Sequence, residues 1–305
     1  MNIIHYIILS LAAVFIVQFV WYLVRDNRKR FIRSKGHIVN IEKEILEETE
    51  QFLLEHFTIK ASGGFNLNGY IKSPPAKKEK LPAVILLGGL FSGKMVVDFV
   101  DFHPLETPVF MVSTDYPYEG EKRLKWWQII FAIPRIRKAA FNSISGIFLT
   151  IDMLEQMEYI DKEKIYLTGV SFGSFFCIAA AACTRKIKCV ASIYSGSKIE
   201  KLVEVNLPYK IKLFNKIVGI FAKLLAYPLE PLHYVQDISP RPFLVMGGAD
   251  DERFPVKYTE LLYNKANEPK DIIWIKSNHM EPERTELISQ LTREVTVWMK
   301  SRDLI

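Results

Sequence analysis

Cysteine is scarce in this chain, and the way it is placed excludes several chemistries. The three cysteines, Cys177, Cys183 and Cys189, lie on apolar stretches, and no pair has the C-x-x-C spacing. Cys177 and Cys183 are six apart on an expected helix, so they face different ways and cannot share a metal ion. An odd, buried set reads as reduced core thiols, as on a cytosolic face, and not as a disulfide framework. Internal repeats and low-complexity tracts are also missing. No Lys or Arg precedes residue 25. Without a basic start or a small-residue cleavage site, the apolar N-terminus does not read as a secretory signal. The net charge of +6 is modest and gives no reason to expect nucleic acid.

What is present suits a large α/β domain with additions. Of the 305 residues, 49% are hydrophobic and 24% charged, enough for a sizeable core. Ile3 to Val24 is almost unbroken apolar sequence, about the length that spans a bilayer. Tyr6, Trp21 and Tyr22 lie near its ends, where aromatic belts belong. Arg25, Arg28, Lys29, Arg30, Arg33 and Lys35 follow at once. The expectation is a single-pass membrane anchor with its basic flank over residues 1–35, the flank against anionic headgroups and the bulk of the chain in the cytoplasm. Over residues 36–56, Ile41, Ile45, Leu46, Phe52 and Leu53 recur among glutamates, which predicts an amphipathic linker helix. The rest, 57–305, reads as the main domain.

Phe57 to Ile71 predicts two strands around Ser62-Gly63-Gly64. Short apolar runs then predict strands at 83–87, 109–114, 164–169, 189–194, 242–247 and 272–276, with helices between. Such alternation argues a mostly parallel sheet covered on both faces. Two segments interrupt it. Glu121 to Phe141 sets Lys122, Arg123, Lys125, Arg135, Arg137 and Lys138 around Trp126, Trp127 and Phe131. Lys201 to Val235 is apolar and helical, with Lys210, Lys212, Lys216 and Lys223, and predicts a small helical cap at about 200–236. Basic residues interleaved with aromatic and aliphatic ones suit either a surface lying on a membrane or an ordinary solvated face.

The chain is organised around Lys164 to Thr184. An apolar run meets Gly169-Val170-Ser171-Phe172-Gly173, and an Ala-rich helical pattern follows. Strand, G-x-S-x-G, helix is the setting of a nucleophile elbow, which needs serine on a sharp turn with its Oγ clear of both elements. Downstream, the strand from Phe243 leads to Gly248-Ala249-Asp250-Asp251-Glu252-Arg253-Phe254-Pro255. The strand Ile272 to Ile275 leads to Ser277-Asn278-His279-Met280. Serine, acid and histidine thus follow one another in chain order, the latter two just past strand carboxyl ends.

On these residues the chain from about 57 to 303 resembles the α/β-hydrolase-fold serine hydrolases, nearest in flavour to dienelactone-hydrolase-like and related esterases. The resemblance implies Ser171 as nucleophile and His279 as base. The family's G-x-x-D-x-x-x-P maps to Gly248, Asp251 and Pro255, which makes Asp251 the acid, with Asp250 as the alternative. One oxyanion-hole donor is then the N–H of Phe172. The other comes from the loop 87–94, where Leu90 is implied and Gly89 is the alternative, because Gly88 stands where the family's His-Gly-x turn has histidine. Such a triad needs neither cofactor nor metal.

Two other motifs fall short. Gly88-x-x-x-x-Gly93-Lys94 has the outline of a phosphate-binding loop, but Met95 sits where Ser or Thr would hold magnesium. Ser195-x-x-Lys198 lacks its companion motifs. The resulting expectation is a membrane-anchored serine hydrolase acting on a carboxylic ester or thioester, with a lipophilic acyl ester as substrate. Alternatives are a peptidase or acyltransferase using the same residues, or a catalytically silent scaffold that only binds.

Overall fold

The computed structural model describes residues 13, 14, 17, 18, 20, 21, 25–76, 79–90, 92–100, 108–120, 128–207 and 212–305, with side chains of the helix that begins at 128 described from Phe131 onward. Among the described residues nine strands form one sheet: β1 Ile38–Glu48, β2 Leu53–Ala61, β3 Asn66–Ser73, β4 Leu81–Leu87, β5 Phe110–Thr114, β6 Ile160–Val170, β7 Cys189–Ile193, β8 Phe243–Gly248 and β9 Lys270–Ile275. Their order is β1-β2-β3-β5-β4-β6-β7-β8-β9. Pairing is antiparallel from β1 to β5 and parallel from β5 through β9. β4 lies between β5 and β6, so successive connections leave it in opposite directions. This is a topological switch point, and sheets of this kind take their ligands at the strands' carboxyl ends there.

The helices are α1 Arg28–Ser34, α2 Gln128–Leu154, α3 Phe172–Cys183, α4 Ile199–Asn206, α5 Lys212–Ala226, α6 Val256–Lys265 and α7 Thr285–Ser301, with a 3-10 helix at Gly93–Phe99. Strand alternation sorts the core into two faces. Ile85, Leu87, Ile165, Leu167, Val190, Phe243 and Val245 point to the side of α2 and α3. Tyr166, Ala191, Leu244 and Met246 point to the side of α7, where Leu287, Leu291 and Trp298 meet them. With both faces covered, β4, β7 and β8 read as nearly continuous apolar runs. α3 is apolar but for Ser174, and Gly173 through Ala181 are all buried, as expected of a helix inside the core.

Three expectations are corrected. The linker helix is not formed: residues 38–48 are β1, paired antiparallel with β2. Ile41 and Ile45, four apart, fall on one side of a helix and equally on one side of a strand, so spacing alone did not separate the two. Second, no helix among the described residues is long and apolar enough to cross a membrane. Most of the expected span, Ile3 to Val24, lies outside the described residues. Third, two of the basic residues expected to face headgroups are engaged by protein. Arg28 pairs with Asp237 at 2.8 Å and donates to the carbonyl of His233 at 2.8 Å, while Lys35 pairs with Asp152. A single-pass membrane location with a cytoplasmic catalytic domain is overturned on these findings. In the region expected as a cap, α4 and α5 are followed by 3-10 turns at Tyr227–Leu229, Pro231–His233 and Val235–Ile238. Trp126, Trp127, Lys122, Arg123, Lys125 and Lys210 lie outside the described residues.

Candidate active site

Ser171 sits between β6 and α3 with φ 52° and ψ −116°, a conformation that costs a residue with a side chain of order 1–3 kcal/mol. It is held on both sides. The Ser171 N–H donates to Ile193 O at 2.9 Å, and its carbonyl accepts from Ser174 N at 3.0 Å and Ser174 Oγ at 2.6 Å. The flanking glycines are required by space. A Cβ on Gly169 would lie 2.5 Å from Cys177 Cβ and 2.7 Å from Gly173 O. One on Gly173 would lie 2.3 Å from Leu87 O and 2.7 Å from Gly88 O. The elbow can therefore turn only with bare backbone at both positions.

The structure brings the three expected side chains together. Ser171 Oγ lies 3.0 Å from His279 Nε2, and His279 Nδ1 lies 2.9 Å from Asp251 Oδ2. The side chains of His279 and Asp251 are almost wholly buried, 2% and 1% exposed, so water does not compete for that bond. Asp251 Oδ1 accepts the N–H groups of Arg253 at 2.8 Å and Phe254 at 2.9 Å. Asp250 is exposed, and its contact with the histidine loop is through backbone, its N–H donating to Ser277 O at 3.2 Å. Of the two aspartates, only Asp251 meets the imidazole.

Phe172 opens α3, so its N–H is among those with no acceptor inside the helix, and the positive end of the helix dipole lies beside Ser171. The loop after β4 runs against Gly173 through the carbonyls of Leu87 and Gly88, as the close approaches above require. Gly89 O accepts from Ser92 N and Gly93 N, both at 3.3 Å, and Leu90 is exposed. The loop thus passes beside the elbow, while Phe91 lies outside the described residues. Lys94 turns away from any phosphate role: its N–H donates to Asp115 Oδ1 at 3.2 Å, and its ammonium lies 3.6 Å from Asp115 Oδ2 and over the Tyr70 ring. Ser195 is buried and its hydroxyl donates to Ser192 O. His37 bonds Ser62, and His233 faces the carbonyl of Tyr227.

Three residues that sequence reasoning left without a role complete the site. The Tyr116 hydroxyl donates to Gly88 O and its ring meets Phe172 edge-on at 5.3 Å, so it ties the β4 loop to the start of α3. Burial raises its phenol far above the ordinary value, and it remains a donor. Tyr194, fully buried at φ 49°, shares a hydrogen bond with Ser277 two residues before His279. Burial raises its phenol as well. Phe254 stacks on the imidazole at 5.5 Å between centroids and 15° between planes. Only Phe254 carried a usable signal, its place three residues after the acid.

Residues 136–301, from within α2 to the end of α7, match the prolyl oligopeptidase family, a peptidase family. The chain belongs to the prolyl oligopeptidase family. The stretch matched to the prolyl oligopeptidase family includes Ser171, Asp251 and His279. Solved structures share the α/β-hydrolase fold at low identity. Acetyl xylan esterase 1 from Thermoanaerobacterium sp. JW/SL YS485 is 15% identical at a TM-score of 0.64, over 89% of this chain and 94% of that one. Acetyl xylan esterase from Paenibacillus sp. R4 is 14% identical at 0.64, over 90% and 94%. Est1E from Butyrivibrio proteoclasticus is 18% identical at 0.58, over 81% and 99%. No curated protein matches the chain.

Proposed function

We propose that this chain is a serine hydrolase that cleaves a carboxylic ester or thioester through an acyl-serine intermediate. The reading is carried by the continuous relay of 3.0 and 2.9 Å from the Ser171 hydroxyl through His279 to Asp251, just past the carboxyl ends of the parallel strands. As Ser171 Oγ bonds to the substrate's carbonyl carbon, its proton passes to His279 Nε2 and the carbonyl electron pair moves onto oxygen. That oxyanion is received by the N–H of Phe172, with a second donor from Leu90 or Gly89. Asp251 stays ionised, holds the imidazole by Nδ1–H and stabilises the imidazolium. When the carbonyl reforms, the alcohol or thiol leaves with the proton from Nε2. Water then attacks the acyl-serine with the same base, returning the acid product and free Ser171.

An apolar acyl group suits the rim, where the rings of Phe172 and Tyr116 are only partly buried. The acyl ester reading is also in keeping with the esterase neighbours. A peptidase is the second reading, favoured by the family match over residues 136–301. A fluorophosphonate probe should label the protein on Ser171, and Ser171→Ala should abolish both labelling and turnover; equal labelling of the variant would sink the assignment. p-Nitrophenyl esters from acetyl to decanoyl, run beside prolyl p-nitroanilides, then choose among the substrates. A sharp optimum at acetyl removes the lipophilic acyl group, and turnover of anilides alone replaces esterase by peptidase.

A further inference from the structure

The residue that follows the acid loop touches both remaining partners of the relay. Phe254 donates its backbone N–H to Asp251 Oδ1 at 2.9 Å, and its ring lies nearly parallel to the His279 imidazole, 15° between planes and 5.5 Å between centroids. Behind it, Phe175 of α3 supports the ring at 6.0 Å. Tyr194 meets the same imidazole edge-on, 84° and 5.4 Å. The base is therefore gripped by two aromatic rings in roughly perpendicular planes, with Phe254 offering its π-face.

In a desolvated setting an aromatic face attracts a cation stacked on it more strongly than it attracts a neutral ring. His279 is neutral before it takes the Ser171 proton and cationic after. A stacked ring thus stabilises the state that forms during the reaction more than the state that precedes it, which is what accelerates a step. We propose that Phe254 is a positioning residue of the proton relay, fixing Asp251 through its N–H and steadying the imidazolium of His279 through its ring. This rests on the hydrolase reading above.

Other charged or titratable groups face His279 from the loops around it. Asp251 meets Nδ1. Glu252 accepts the His279 backbone N–H at 3.2 Å, Arg284 donates to the His279 carbonyl at 3.5 Å, and Tyr194 lies at the ring edge as a neutral phenol. Phe254→Leu leaves all of them in place, and it also keeps the N–H to Asp251.

The experiment uses the full chain with p-nitrophenyl acetate, kcat and KM being followed from pH 5 to 9. Wild type and Ser171→Ala come first. If wild type shows no turnover that depends on Ser171, the hydrolase reading itself fails, separately from this inference. Given that activity, Phe254→Leu should lower kcat about three- to thirty-fold with KM little changed, and the acidic limb of kcat/KM should move to lower pH. The sign follows from losing stabilisation of the protonated ring. Phe254→Tyr keeps the π-face and should restore both kcat and the limb to wild-type values; it also remains informative if the Leu variant fails to fold, because a limb that falls in Phe254→Tyr overturns the inference. A Leu variant that folds with an unmoved limb, or one that loses rate only through KM, overturns it too.

Discussion

The two ends of α3 meet one physical problem in opposite ways. Every helix leaves its first N–H groups and last carbonyls without partners of its own. At the carboxyl end a buried arginine answers Ala181 and the cap residue Thr184, and ties them to the loops that follow. Arg241 donates from Nη2 to Ala181 O at 2.8 Å, from Nη1 to Thr184 O at 2.8 Å and Ile187 O at 3.2 Å, and from Nε to Ile238 O at 2.8 Å. Burial pulls its pKa down to about 10, with Arg185 contributing, and it stays charged at neutral pH. At the amino end, by contrast, the backbone is bent into a strained turn and the Phe172 N–H opens beside Ser171. Satisfied polar groups tie one end to its surroundings, and on the proposed reading the polar group left open at the other receives developing charge.

Substitutions can break either half of that contrast. Asp251→Asn should have the largest effect, lowering kcat by up to ~10⁴ by holding the wrong tautomer of His279. Circular dichroism should show the variant still folded, because Oδ1 can accept the same two N–H groups. Arg241→Met should cost about 3–5 kcal/mol in urea unfolding, since several buried carbonyls lose their donor at once. The fraction that remains folded should still label with the fluorophosphonate probe, and loss of labelling beyond loss of fold would show that the two ends are coupled. Gly173→Ala strikes the amino end through backbone, and about 2–3 kcal/mol of stability should go with it. Its labelling rate, corrected for folded fraction, should also fall, because the β4 loop must shift. Glu230→Ala is a smaller perturbation. Its carboxylate accepts Lys198 N at 3.0 Å and Ile199 N at 2.9 Å at the start of α4, and its loss should cost about 1 kcal/mol. Asp250→Asn should do least, within about 0.5 kcal/mol in stability, as for exposed positions generally. Its turnover should be close to wild type, and a large loss there would move the acid away from Asp251.

The parts of the site that could be read from the chain were those fixed by local constraints. Gly169 and Gly173 flank Ser171 because no side chain fits there, and that restriction is written in five consecutive residues. Asp251 and His279 were placed by following strands to their carboxyl ends, where parallel strands deliver their loops to one rim. The parallel strands themselves were legible because burial on both faces leaves uninterrupted apolar runs. The misreadings have equally physical sources. Ile41 and Ile45 satisfy a strand and a helix alike, and only the pairing of β1 with β2 decides. Arg28 and Lys35 carried no mark of their partners, Asp237 and Asp152, which are more than a hundred residues distant. Arg241, Tyr116 and Tyr194 act on groups that reach them only through the tertiary fold, and their neighbours in sequence gave no hint.

Among the described residues β1 forms the outer margin of the sheet, with nine of its eleven residues in register with β2 and no strand on its other side. A free margin of that length is a template on which a strand from another molecule can add. Glu42, Glu44, Glu47 and Glu48 stand exposed along it, so two such margins repel each other at neutral pH. Acid solution protonates glutamates and removes the repulsion. Purified protein should then grow into sheet-rich aggregates on acidification, and replacing these four residues by glutamine should bring the same turbidity on at neutral pH.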